Sequence, residues 1–235
     1  MHSPSTGPDL AHARRQAIKE SAPLLIPAVP FGFVLGVAIS ESPLNNGVGV
    51  FTSLAIFAGA AQLAFISLVG TASIWAAIAA ALVINARHVM YSAALSPIFK
   101  PQPRWFRWVA PYVLVDQVFA LAMQHADDEP AYFRRFYLVT GSMFFSLWIT
   151  VTILGLFFGS FIPESIQIGF APAIMFTGLV IFGVTNRPGV IAAAVGASVC
   201  FATLGLPNRV GLLIGAGCGV AAGYVAELVL DRRST

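Results

Sequence analysis

Two residues of opposite charge stand deep inside otherwise apolar runs, Arg87 and Asp116. An ionised side chain at the centre of a bilayer costs at least about 2.5 kcal/mol, so it needs an opposite charge or a wet cavity. Arg87 belongs to Asn85-Ala86-Arg87-His88, in the middle of the apolar stretch 73–98. Ten residues separate it from Pro97, about 15 Å along a helix, which is near the midplane of a hydrocarbon core about 30 Å thick. Asp116 is the one carboxylate in the middle of any apolar run; Glu227 is near the end of its own. Pairing Asp116 with Arg87 or His88 would lower the cost of burying each charge. The same residues also fit a snorkelling arginine or a purely structural ion pair.

Gln62 follows the small run Ala58-Gly59-Ala60-Ala61. It either hydrogen-bonds across helices or, where the small run lets the helix bend, lines a cavity. Pro23, Pro27, Pro30 and Pro172 open apolar segments, and Pro27 and Pro30 are expected to break the hydrogen-bond ladder of the first. A broken helix is tolerated in a membrane where it lines a cavity or is packed in protein. Together, Arg87, Asp116, Asn85, Gln62 and His88 suit a small zwitterion. A carboxylate calls for a guanidinium or helix N-terminal N–H groups, an ammonium for a carboxylate or free carbonyls. His88 and Asp116 could also carry a proton. The sequence has no HExxH, no GxSxG and no nucleotide-binding loop, so no catalytic constellation, cofactor or ATP site is expected. Cys200 and Cys218 lack metal-ligand spacing and are expected to be small, buried apolar side chains.

The elements that must hold these residues are membrane helices. Of 235 residues 57% are hydrophobic and only 10% charged, with mean hydropathy +0.82; soluble domains carry about 25% charged residues. No basic stripe with interleaved aromatics suggests nucleic acid. Eight apolar segments fall at about 24–40, 48–69, 73–98, 105–124, 136–158, 170–185, 189–204 and 210–229, joined by short Pro-, Gly- and Asn-bearing turns. The pattern predicts an all-α polytopic membrane protein with seven or eight transmembrane helices, some of them broken. Residues 1–22 are expected to be a cytoplasmic segment with a surface helix over 9–20, capped by Asp9. Residues 23–230 would form the transmembrane transport domain and 231–235 a cytoplasmic tail.

With eight crossings, Arg14, Arg15, Lys19, Arg134, Arg135, Arg187, Arg232 and Arg233 share one side, against Lys100, Arg104, Arg107 and Arg209 on the other. The excess puts both termini in the cytoplasm. The row Gly211, Gly215, Gly219, Gly223 lets a helix backbone approach closely, either within the chain or against a second membrane subunit. Pro27-Ala28-x2-Phe31 is echoed by Pro172-Ala173-x2-Phe176 in a segment of opposite direction, a candidate inverted repeat.

Three pieces come in order: Phe57-Ala58-Gly59-Ala60-Ala61-Gln62, then Val83-Ile84-Asn85-Ala86-Arg87-His88-x2-Tyr91, then Val115-Asp116-Gln117-Val118-Phe119-Ala120. With Pro27-x2-Pro30-Phe31-Gly32 before them and Phe170-Ala171-Pro172 after, the chain resembles the large subunit of the two-component branched-chain amino acid exporters of the AzlC type, from about residue 20 to 229. It departs from that pattern at Ala86, where a larger apolar residue is expected, and at Gln117, where a glutamate often follows the aspartate. The resemblance implies export of valine, leucine, isoleucine or similar compounds across a bacterial inner membrane. It also implies a small membrane partner of about four helices, and it adds Tyr91 to the substrate-binding candidates. Proton coupling is compatible with it, and no ATPase is implied. A channel for small ions or neutral solutes, or an assembly subunit without a pathway, are the competing readings.

Overall fold

The structure is a computed structural model that describes residues 9–161, 177, 184, 186–205 and 210–234. It divides into two compact units, Met1–Phe176 and Thr177–Thr235. The described residues are almost entirely helical, with one isolated bridge, Val69 to Ala72.

The frame of the first unit is a pair of long helices, α1 (Leu10–Glu41) and α8 (Pro130–Phe158). Asp9 caps α1, its side chain accepting from the His12 N–H at 2.9 Å. Buried residues of α1 recur at intervals of three and four, through Ala13, Ala17, Ser21, Leu24, Ala28, Phe31, Leu35 and Ile39, so one face is covered. That face lies along α8. The two backbones touch: a Cβ at Gly36 would run into the Thr152 carbonyl, and one at Gly155 into the Phe33 carbonyl. The surface helix expected over 9–20 is instead the first part of α1, which runs on without interruption through Pro23, Pro27 and Pro30. Each proline removes one donor and disturbs one turn, and all three lie off the buried face that α8 holds.

Between the long helices the chain runs in short pieces. These are α2 (Asn46–Ala55), α3 (Gly59–Leu68), α4 (Ile74–Asn85), α5 (Arg87–Phe99), α6 (Arg104–Val109) with a 3-10 turn Ala110–Val113, and α7 (Asp116–Gln124). The expected continuous segments 48–69 and 105–124 are therefore each split. At ten residues apiece, α2 and α3 are about 15 Å long, half of a hydrocarbon core. The break expected near 85–88 is a single residue, Ala86, where the bonding tightens to three-residue steps (Ala86 N–H to the Val83 carbonyl, Val89 N–H to the Ala86 carbonyl). Gly70, at φ +86°, makes the left-handed turn that returns α3 into α4. Among the described residues three helical runs are long and apolar enough to cross a membrane, Leu10–Glu41, Ile74–Phe99 and Pro130–Phe158, beside several shorter apolar helices.

The second unit contains α9 (Arg187–Ala202), capped by the Asn186 side chain on the Gly189 N–H at 2.8 Å, and α10 (Val210–Ser234). The Gly211–Gly223 row is used here. A Cβ at Gly215 would meet Cys200 and the Gly196 carbonyl, at Gly219 the Ala192 carbonyl, and at Gly223 the Ala192 side chain. Its glycines pack α10 on α9 within one chain, which corrects the alternative of a docking row for another subunit. Cys218 is exposed, against the expectation of burial. The second half of the candidate inverted repeat, Pro172 to Phe176, lies outside the described residues.

Overpacking a tight contact costs about 1–3 kcal/mol. Gly36→Ala and Gly155→Ala should each lower the detergent melting temperature by that equivalent. Gly217→Ala, whose Cβ would meet nothing within 4 Å, should leave it unchanged.

Candidate functional site

Three of the helix breaks meet at one cavity at mid-depth of α8. It is lined by Phe57, Ala58, Gly59 and Ala60, by Arg87 and His88, and by Val115, Asp116 and Gln117. These are the starts of α3, α5 and α7. Ala28 and Phe31 of α1 and Phe144, Leu147 and Trp148 of α8 close it from the frame. The free volume inside it is small, about 30 Å³, room for a water molecule or two, so a bound substrate would have to widen it.

The charges meet here. Arg87 Nη2 lies 3.0 Å from Asp116 Oδ2, and the Tyr91 hydroxyl donates to Asp116 Oδ1 at 2.8 Å. The Tyr91 ring stacks on Phe119, centroids 4.2 Å apart. His88 Nδ1–H donates to the Asn85 carbonyl at 3.2 Å, which leaves Nε2 as the acceptor of a neutral ring. Asp116 is the first residue of α7, where the helix dipole favours a negative charge. No side chain caps α3, whose start at Gly59 follows the extended Ala58, so its first-turn N–H groups have neither an intrahelical acceptor nor a side-chain cap. The arrangement is electropositive overall. The N-termini of α3 and α7 each count roughly +0.5 charge, that of α5 is offset by the end of α4 it adjoins, and Arg87 and Asp116 cancel. Two buried polar atoms, Arg87 Nε and Asn85 Oδ1, have no protein partner.

Of the residues singled out in the sequence, the fold brings Arg87, His88, Asp116 and Tyr91 together, the first three on the cavity wall. Asn85 flanks the break without lining the cavity. Gln62 is away from the wall and fully buried: its Nε2 donates to Thr52 Oγ1 at 2.8 Å and Ser53 Oγ at 2.6 Å, and its Oε1 accepts from Trp148 Nε1 at 3.2 Å. It ties α2 to α3 across their break and holds the Trp148 ring in place. Phe57, which lines the cavity, has φ +28°, a costly conformation for a bulky side chain. Edge contact with Phe145 and stacking on Tyr112 hold it there. Gly59 is needed for the closeness of α3 to the frame, since a Cβ would meet Trp148 at 2.7 Å and Phe31 at 2.8 Å. The aromatic wall and the Gly59 N-terminus were not identified from sequence; the small run before Gln62 was the one signal for them. Among the described residues no cluster of His, Cys, Asp and Glu is placed to hold a metal ion.

The sequence profile of a family described as AzlC protein matches residues 23–162. The chain belongs to the AzlC family. The match covers α8, α1 from Pro23 onward and every residue of the cavity wall. An uncharacterised membrane protein of Archaeoglobus fulgidus is 31% identical over 146 residues, 62% of this chain and 63% of its own length. The inner membrane protein YgaZ of Escherichia coli is 26% identical over 231 residues, 93% of each chain. An uncharacterised membrane protein of Helicobacter pylori is 28% identical over 157 residues, 63% of this chain and 67% of its own. No solved structure matches. This AzlC family member is thus a helical membrane protein.

Removing one partner of a buried ion pair strands the other and costs about 3–5 kcal/mol, whereas apolar replacement of both is often neutral or better. Arg87→Ala should therefore lower the detergent melting temperature strongly. The double variant Arg87→Met with Asp116→Leu should restore it to near the wild-type value.

Proposed function

We propose that this protein is the large subunit of a secondary exporter of branched-chain or similar small apolar amino acids, with the substrate held in the cavity between α3, α5 and α7. The observation that carries this reading is the set of interrupted helices opening onto one mid-depth cavity beside the Arg87–Asp116 pair. Discontinuous helices with N-termini aimed at a substrate carboxylate are a recurrent way for secondary transporters to bind at the midplane. The unpaired Arg87 Nε–H and the first-turn N–H groups of α3 supply donors for the carboxylate. Asp116 supplies the acceptor for the ammonium. Phe31, Phe57, Val115, Phe144, Leu147 and Trp148 form an apolar wall suited to a branched side chain.

In this reading α2–α3 and α6–α7 are broken spans, which with the long helices and the second unit give seven or eight crossings. Residues 1–22 and 231–235 are the cytoplasmic ends, and 23–230 form the transport domain. The setting is the bacterial inner membrane, in keeping with the name of the Escherichia coli relative. The resemblance supports a small partner of about four helices, and Asp116 with His88 is the natural place for proton coupling. No enzymatic step or ATPase belongs to the reading.

The test is counterflow in proteoliposomes preloaded with valine, with and without the small membrane protein encoded beside this one. Saturable exchange of labelled valine that is lost in the folded Arg87→Met, Asp116→Leu double variant supports the assignment. Non-saturable flux would indicate a channel. Normal exchange by the double variant would make the ion pair purely structural.

A further inference from the structure

At the other end of α7 from Asp116, a second set of titratable groups closes around His125, the residue that ends the helix. Its side chain is only 8% exposed. Nε2 lies 2.8 Å from Glu20 Oε2 on α1, and Nδ1 lies 2.6 Å from Asp128 Oδ2 in the loop before α8. The ring packs on Phe136 of α8, centroids 3.9 Å apart, with Tyr132 of α8 at 6.4 Å. Gln16 donates to the other Glu20 oxygen at 2.8 Å. The Tyr132 hydroxyl bonds Gln16 and His12, and Asp9 and Glu129 line the same recess.

A neutral imidazole has one N–H and one lone pair. With a carboxylate oxygen against each nitrogen, a neutral ring would set its lone pair against negative charge. Both contacts are satisfied together only when the ring carries two protons or one of the carboxyls is protonated. Either way the cluster holds one proton more than a neutral histidine between two carboxylates. We propose that Glu20, His125 and Asp128 form a proton-binding latch that fixes the C-terminal end of α7 to α1. Loss of the proton opens one of the two contacts. Release of the Glu20 contact frees the end of a nine-residue half-helix whose first residue is Asp116, about 13 Å away. The latch thereby regulates the position of Asp116 at the cavity and gives that site a pH dependence; this last step rests on the transport reading, whereas the latch itself does not.

The latched form holds the extra proton, so it is favoured at low pH and lost as pH rises. Hydrogen–deuterium exchange of the full chain in detergent, between about pH 5 and 8 and corrected for intrinsic rates, reads this directly. The opening of amides 119–125, which carry the helical bonds of α7, should increase about tenfold per pH unit across the release, the dependence of a one-proton link. Amides in the middle of α1 and α8 should not follow. His125→Gln should abolish the step. If that variant does not fold, Glu20→Gln gives the ring a neutral partner able to donate to its lone pair, and should keep α7 closed at both ends of the range. A flat profile in the wild type, or an unchanged step in both variants, overturns the latch. No substrate is present in this measurement, so failure here leaves the transport reading standing, and failed counterflow with an intact pH step does the reverse.

Discussion

A guanidinium and a carboxylate 3.0 Å apart at mid-depth of the first unit set the terms for everything around them. Neither charge is tolerable in hydrocarbon alone, so α5 and α7 must reach the same depth and stay in contact. Asp116 gains further if it begins a helix rather than sitting in the middle of one, because the dipole then favours its charge. The break at Leu114 and Val115 provides that position. An uninterrupted helix through 104–124 would hold the same carboxylate without it.

The breaks in turn depend on a part of the protein that does not break. α1 and α8 touch backbone to backbone at Gly36 and Gly155, and their long contact gives the half-helices a fixed wall. Gln62 transmits that wall inward. It joins the hydroxyls of Thr52 and Ser53 of α2 to Trp148 of α8 through one buried amide, a side-chain tie across the α2–α3 gap. Strain at Phe57 is confined to this gap and offset by the aromatic contacts of Tyr112 and Phe145. Rigid frame and interrupted inserts are thus one design, with the cavity at their junction.

How much of this was legible in the sequence follows from how each signal arises. Arg87 and Asp116 were visible because a charge in an apolar run is expensive whatever the fold, and the run itself fixes its depth. The breaks before α3 and α7 were less visible. Ile56-Phe57-Ala58 and Leu114-Val115 contain no Gly, Pro or Asn, and hydropathy reports burial rather than backbone angle. Gln62 was conspicuous as a polar residue, yet polarity does not say where its partners are, and they proved to be neighbours in the packing. The glycines of α10 were legible as a contact face without identifying α9 as what covers it. The Glu20–His125–Asp128 cluster carries no such signal, because polar residues near helix ends are ordinary in sequence. What distinguishes them is convergence over a separation of 105 residues, and a linear pattern carries no trace of that.

The charge balance of the cavity bears on what it can hold. With Arg87 and Asp116 cancelling, the N-termini of α3 and α7 leave an excess of roughly one positive charge, which favours one additional negative group. A simple anion would satisfy that excess but would make no use of the second acceptor capacity of Asp116, each of whose oxygens takes more than one donor. A simple cation would meet the same carboxylate while opposing the dipoles. A zwitterion answers both, provided its two charged groups lie close together and its remaining surface is apolar enough for the Phe31, Phe144 and Trp148 wall. α-Amino acids with aliphatic side chains have that geometry. The same reasoning disfavours glutamate-like substrates, whose extra carboxylate would meet the aromatic wall at the cost that attends an unpaired buried charge.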